Sequence, residues 1–117
     1  MPRVLTMSRA TVPAEHEAEY LATLRRLAAV AARRGQNLWA FRSMARPHTF
    51  MEFSESPSEI SHRSRASRTQ EELRLEMRLQ QLASYAPDAW EMWEEIATAA
   101  TRPADDGEAD ADDDDAD

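Results

Sequence analysis

Histidine is the first side chain to consider for acid–base or metal chemistry near neutral pH, and this chain has three. His16, His48 and His62 lie far apart, and none belongs to a His-x-x-x-His or Glu-x-x-His pair with a second plausible ligand set. The neighbours Glu15 and Glu17 point in other directions than His16 on a helix. The sequence therefore predicts no metal site, and it favours solvent-exposed positions for His48 and His62.

Several classes of enzyme are excluded because their residue types are missing. The chain has no cysteine, which removes disulfides, thiolate metal ligands and a cysteine nucleophile. Its two glycines are Gly35 and Gly107, so neither a Gly-rich phosphate loop nor a Gly-x-Ser-x-Gly nucleophile elbow can form. The residues alone assign no catalytic side chain, and we expect no cofactor.

The acidity of the chain is concentrated at one end. The net charge is −8 over 117 residues, and nine of the 22 acidic side chains lie in residues 104–117, "ADDGEADADDDDAD". Residues 1–103 therefore hold 13 acidic side chains against 14 arginines. We predict one domain over 1–103 and a disordered acidic tail over 104–117. The tail could solubilise the chain, screen the Arg-rich segment 61–68, or dock a basic partner.

The same patterns limit the partners and the location. The Arg-rich segment 61–68 has no aromatic residues between its arginines, so we expect no nucleic acid partner. No apolar run is long enough for a signal peptide or a membrane span. We therefore expect a soluble, cytoplasmic protein that makes no contact with a membrane.

Periodicity predicts the order β-α-β-β-α-α. The predicted ranges are strand 3–11, helix 13–34, strands 37–45 and 49–54, helix 57–84 and helix 87–100. Pro13 and Gly35 mark the ends of the first helix. Ser56 and Pro57 resemble a capping box, which predicts a helix start at 57. Residues 64–69 predict a break in that helix, with Ser67 or Thr69 as a second cap.

The segment "QNLWAFRSMARPHTFMEFSES", residues 36–56, predicts a hairpin that is apolar on both faces. Trp39 and Phe41 fall on one face of its first strand, and Leu38, Ala40 and Met44 fall on the other. Helices can cover only one face of such a sheet. The other face needs a partner, and for a small chain the simplest partner is a second copy.

This order of elements resembles the dimeric α/β-barrel superfamily, in particular small domains similar to antibiotic-biosynthesis monooxygenases. The resemblance covers residues 3–97 and rests on "TMSRATVPAEHEAEYLATLRRLAA", the hairpin and "APDAWEMWEEI". It implies an α+β, ferredoxin-like β-α-β-β-α(-α) fold with an antiparallel sheet that pairs as a barrel in a homodimer. The family pattern has a fourth strand, which is not evident here because residues 87–100 predict a helix.

The resemblance also implies a pocket that binds or oxidises a small aromatic molecule without a cofactor. Polar and aromatic side chains that could line the pocket or the dimer interface are Asn37, Trp39, Phe41, Arg42, Met51, Phe53, His62, Trp90 and Trp93. The alternative is a non-catalytic homodimeric interaction protein, in which the acidic tail or the segment 61–68 contacts a partner. An enclosed cavity large enough for an aromatic molecule, with at least one of Asn37, Arg42 or His62 pointing into it, would distinguish the two.

Overall fold

A computed structural model of the chain describes residues 2–58 and 68–98. Its elements are, in chain order, β1 (Val4–Thr11), α1 (Glu17–Ala32), β2 (Asn37–Arg42), β3 (Thr49–Ser56), α2 (Gln70–Leu82), β4 (Ser84–Tyr85) and β5 (Met92–Glu94). All strand pairs are antiparallel, so the predicted α+β, ferredoxin-like fold is confirmed. The predicted acidic tail, 104–117, lies outside the described residues, as do positions 61–67 of the Arg-rich segment.

The first helix lies close to its predicted range. A 3-10 turn, Ala14–His16, follows Pro13 and leads into α1. Glu17 and Glu19 occupy the first turn of α1, where the helix dipole favours negative charge. Gly35 adopts a φ of +85° after the last turn, a left-handed conformation that glycine reaches without a steric penalty. The end signals in the sequence therefore set both limits of this helix.

The central hairpin is confirmed, with one shorter strand. β2 ends at Arg42, three residues before its predicted end, because Ser43 begins the turn. The Ser43 hydroxyl accepts hydrogen bonds from the backbone N–H groups of Ala45 (3.2 Å) and Arg46 (2.9 Å). His48 adopts a φ of +59° before β3 begins. This turn places Trp39 directly opposite Phe53.

The second helix is described only in part. Residues 59–67 of its predicted range, 57–84, lie outside the described residues, and α2 covers Gln70–Leu82 of the remainder. Ser56 pairs with Val4 and is buried, so β3 runs two residues beyond its predicted end at 54. Thr69 is the N-cap of α2, as one of the two predicted caps, and its side chain accepts from the Glu72 N–H at 3.1 Å.

The predicted last helix, 87–100, is wrong over its described part. Residues 87–90 form a turn, and Met92–Glu94 form β5, which pairs with the first half of β1. β4 pairs with the other end of β1. The edge of β1 offers unpaired backbone groups, and those hydrogen bonds outweigh a weak local helix preference. Two short strands thus fill the fourth position of the sheet, in the order β2-β3-β1 followed by β4 and β5.

The helices cover one face of the sheet, and we call the other the open face. The core lies between the helices and the covered face, around Tyr20, Leu24, Leu27, Phe50 and Leu79. The open face carries the alternate residues of the same strands, which are mostly large and apolar: Leu5, Met7, Trp39, Phe41, Met51, Phe53 and Trp93. The predicted two-faced apolar character of the hairpin is therefore confirmed.

Candidate functional site

A cavity of about 560 Å³ lies between the covered face of the sheet and the helices. Its lining residues come from both layers: Thr6, Ser8, Leu27, Gln36, Leu38, Glu52, Ser54, Arg68, Glu76, Leu79, Gln80, Tyr85, Trp90 and Met92. The cavity falls in the size range of small-molecule sites in proteins. It is large enough for a ligand of two to four fused rings.

The cavity exists because the side chains on this part of the sheet are small. Thr6 lies opposite Ser54 across β1 and β3, and Ser8 lies opposite Glu52. One register step further along, Ala10 lies opposite Phe50, whose ring fills the space beneath α1. The half of the covered face around Ala10 and Phe50 is therefore close-packed against the helices. The half around Thr6, Ser8 and Ser54 is polar and borders the cavity.

Glu52 lies at the boundary between the two halves and lines the cavity. It is 7% exposed. Tyr20 and Tyr85 donate hydrogen bonds from their hydroxyls to the same carboxylate oxygen, Oε2, at 2.5 Å and 2.7 Å. Among residues 2–58 and 68–98, no hydrogen bond to the second oxygen, Oε1, is found. One oxygen is thus held by the protein, and the other can meet a ligand.

Burial has the largest effect on the pKa values of Glu52, Tyr20 and Tyr85. It raises the pKa of Glu52, while the hydrogen bonds from Tyr20 and Tyr85 lower that pKa. Burial also raises the pKa of both tyrosines, and the neighbouring Glu52 charge raises it further. Both phenols therefore stay protonated and remain donors. A carboxylate with a raised pKa is a better proton acceptor than an ordinary one, which suits acid–base chemistry.

An aromatic rim forms one side of the cavity. The ring of Trp90 lies 5.2 Å from the ring of Tyr85, and the Trp90 side chain is 58% exposed. The turn that carries Trp90 is fixed by Ser8, whose hydroxyl donates to the Ala89 carbonyl at 2.7 Å. Met92, on β5, adds a thioether to the same lining. This wall can stack on a planar ligand.

Charged groups surround the cavity on the side of α2. Arg68, Glu72, Glu76 and Gln80 recur at four-residue spacing, and all except Glu72 line the cavity. Glu72 is buried and pairs with Arg34 at 2.5 Å. Arg34 also donates to Gln36, which in turn donates to Ser54 on the sheet. This network holds the polar floor in place and ties α2 to the chain that follows α1.

The structure distributes the predicted site residues over three places. Trp90 lines the cavity. Arg42 stacks over the Phe50 ring at 4.9 Å and pairs with Glu17 at 3.1 Å, away from the cavity lining. The remaining described candidates lie on the open face: Asn37, Trp39, Phe41, Met51, Phe53 and Trp93. His62 lies outside the described residues.

The sequence contains a signal for Glu52, which was not among the predicted site residues. Glu52 is the one charged side chain inside "TFMEF", and strict alternation puts it on the same face as Phe50. An acidic residue on a face that must be covered needs a buried donor, and Tyr20 on α1 is that donor. Which tyrosine would reach Glu52 depends on how α1 crosses the sheet, and periodicity alone does not give that.

Within residues 2–58 and 68–98, no group of three or more His, Asp or Glu side chains could hold a metal ion. The two described helices were also too short or too polar to cross a membrane.

Comparison with known proteins shows the same fold. No family model and no curated protein matches the sequence. SnoaB of Streptomyces nogalater, a cofactor-independent oxygenase, is 21% identical, with a TM-score of 0.64 over 84% of this chain and 95% of SnoaB. Two structures provisionally assigned as antibiotic biosynthesis monooxygenases are also similar, one from Nitrosomonas europaea and one from Deinococcus radiodurans.

The Nitrosomonas europaea structure is 12% identical to this chain, with a TM-score of 0.60 over 84% of this chain and 90% of that one. The Deinococcus radiodurans structure is 14% identical, with a TM-score of 0.60 over 86% of this chain and 97% of that one. At these identities the likeness is one of fold. The chain has the fold that these three structures share.

Proposed function

We propose that this protein binds a small phenolic aromatic molecule in the cavity and oxidises it with molecular oxygen, without a cofactor. The observation that carries the proposal is the Glu52 carboxylate, buried in the cavity wall with one oxygen free of hydrogen bonds from the described residues. The similarity in fold to SnoaB, a cofactor-independent oxygenase, supports the choice of reaction class.

Oxidation without a cofactor requires the substrate to supply its own electrons. An aromatic anion is electron-rich enough to reduce O₂, so the protein needs only to remove a proton, orient the ring and exclude water. A ring-activated CH₂ group is a balanced substrate for this reaction. It loses both hydrogens and gains one oxygen atom as a carbonyl, and the second oxygen atom leaves as water.

Each part of the cavity has a role in this proposal. The Oε1 atom of Glu52 takes the proton from the substrate. Trp90 and Met92 stack on the ring, and Leu38 and Leu79 exclude water from its other edges. The polar side near Arg68 and Gln80 binds a second oxygen substituent. No residue here needs to change its oxidation state.

The open face of the sheet supports a homodimer as the working form. Trp39 is 42% exposed and Phe41 58%, and both rings contact Phe53 on the open face. A contiguous apolar patch of this kind marks an interaction site. A second copy that packs its open face against the first would cover both patches by one symmetric contact.

Oxygen uptake with a hydroxyanthrone such as dithranol tests the proposed reaction, because its CH₂ group lies between two aromatic rings. We expect uptake of one O₂ per carbonyl formed, and a loss of about 100-fold or more in kcat for Glu52→Gln. The Gln side chain keeps an acceptor oxygen for both tyrosines. Val30→Ala, on the buried side of α1 away from the cavity lining, is the matched control and should retain its kcat.

Two results would overturn this function. The first is an oxidation rate for Glu52→Gln equal to that of the unmodified chain. The second is the absence of any bound aromatic, measured by quenching of Trp90 fluorescence with hydroxyanthrones, quinones and haem. In the second case the alternative of a non-catalytic interaction protein would be preferred.

A further inference from the structure

The Glu52 carboxylate is held by two phenols that play different parts. Tyr85 is part of the cavity lining, so a bound molecule can contact it. Tyr20 is fully buried on α1, outside the cavity lining, and its ring packs on Phe50 at a centroid distance of 5.0 Å. Tyr20 therefore reaches the site only through its hydroxyl, which donates to Glu52 Oε2 at 2.5 Å.

A core position of this kind does not require a hydroxyl. Phenylalanine would fill the same space between Leu24, Leu27 and Phe50 and would bring no polar atom into the core. The hydroxyl of Tyr20 meets Glu52, a buried carboxylate on the covered face of the sheet. The single polar atom of Tyr20 therefore acts on Glu52.

From this geometry we infer that Tyr20 is a positioning residue, which together with Tyr85 fixes Oε2 of Glu52 and leaves Oε1 as the oxygen that takes the proton. The inference rests on the proposed function for its catalytic meaning. When a phenolic substrate binds, its O–H bond breaks, a new O–H bond forms on Oε1, and the electron pair stays on the substrate oxygen. Two donors on Oε2 stabilise the charged carboxylate before the transfer and prevent its rotation.

The other groups around Glu52 do not replace these donors. Its cross-strand neighbours are Ala40 on β2 and Ser8 on β1, and the Ser8 hydroxyl donates to Ala89 instead. Across the cavity, Arg68, which precedes α2, pairs with Glu76 of α2 at 3.3 Å. Among the described residues, the two tyrosines are the donors that reach the carboxylate.

Titration of the Glu52 carboxyl by ¹³C NMR tests this inference without any substrate. Glu52→Gln assigns the signal. We expect Tyr20→Phe to raise the Glu52 pKa by roughly one to two units, because one hydrogen bond to the charged form is lost. Val30→Ala, which also removes buried atoms from α1, should leave that pKa unchanged. An unchanged or lower pKa in Tyr20→Phe would overturn the inference.

A second variant and a second measurement keep the inference testable if Tyr20→Phe does not fold or if no substrate is oxidised. If Tyr20→Phe does not fold, Tyr85→Phe must raise the Glu52 pKa in the same way, and a failure to do so overturns the paired arrangement. With dithranol, the acid limb of kcat/KM should move to higher pH in Tyr20→Phe, and kcat above that limb should fall because one donor no longer holds Oε2. If the unmodified chain oxidises no substrate, the proposed function fails, and the NMR titration still decides the role of Tyr20.

Discussion

Around the cavity, the two faces of this sheet carry polar and apolar side chains in the reverse of the arrangement expected of a small monomeric domain. The face that the helices cover carries Thr6, Ser8, Glu52 and Ser54 around a cavity. The open face carries aromatic and aliphatic side chains, with Trp39 and Phe41 exposed. A domain that served only its own stability would bury the aromatic side chains and expose the polar ones. The inversion is expected if the covered face binds a ligand and the open face binds a protein.

Leu38 and Trp39 are adjacent on β2 and lie on different faces of the sheet. Leu38 points from β2 into the cavity, and Trp39 points from the same strand to the open face, where it stacks on Phe53 at 6.0 Å. A change at one position should therefore alter ligand binding, and a change at the other should alter assembly. Each variant is the matched control of the other.

Among the changes that test this contrast between the faces, the largest expected effect is the loss of the dimer in Trp39→Glu. A charge at the centre of an apolar interface would be desolvated without a partner, so we expect association to weaken by about 30-fold or more. Size-exclusion chromatography with light scattering measures this at low micromolar concentration, where the unmodified 13.3 kDa chain should run at about twice its mass. A monomeric unmodified chain would contradict the prediction. An unchanged dimer in the variant would place Trp39 outside the interface.

The second expected effect is a loss of ligand affinity in Leu38→Trp. The larger side chain must occupy part of the cavity, since the close-packed surroundings cannot yield much space. We expect binding of a hydroxyanthrone to weaken by roughly tenfold, measured by isothermal titration calorimetry, with the dimer unchanged. Equal affinity in variant and unmodified chain would mean that the ligand binds elsewhere.

The smallest expected effect is a change in the pH dependence of stability in Glu52→Gln. Burial raises the pKa of Glu52 in the folded chain above its ordinary value of 4.5, so the folded state favours the protonated form. Its contribution is fully present below about pH 4.5 and is lost as the pH rises through the folded pKa. The Gln variant, which cannot ionise, should therefore melt at a higher temperature than the unmodified chain at pH 8.

That difference in melting temperature should shrink as the pH falls toward 4, measured by calorimetry of both chains in matched buffers. Glu71→Gln is the control, since Glu71 is exposed and Arg26 lowers its pKa through a hydrogen bond. A stability gain in Glu52→Gln that does not depend on pH would mean that Glu52 has the same pKa in the folded and the unfolded chain, which would contradict the prediction.

Much of the fold could be predicted because its signals are local. Pro13 and Gly35 bracket α1, Thr69 caps α2, and strict alternation gives the two faces of the hairpin. The main error has a physical cause. The segment 87–98 carries local helix signals that yield to strand pairing with β1, a partner more than 50 residues away in the chain.

The candidate site was predicted less well than the fold. Trp90 was identified, but most of the other aromatic candidates belong to the open face, because their apolar and aromatic types suit an interface and a pocket equally. Glu52 was not predicted as a site residue because its chemistry depends on its contacts with Tyr20 and Tyr85. A lone glutamate in a strand becomes chemically distinctive only when burial and two phenols surround it.

The sequence by itself determined the order of the main elements, the two-faced apolar hairpin and the absence of cysteine or glycine-dependent chemistry, since each depends on residue types and short spacings. The tertiary structure decided which face is hollow, which oxygen of Glu52 is held, and that the last segment joins β1 as a strand. These features depend on contacts between residues 32 to 92 positions apart, such as Tyr20 with Glu52 and Arg3 with Glu95. Periodicity along the chain carries no information about such distances, because packing sets them only after the helices cross the sheet.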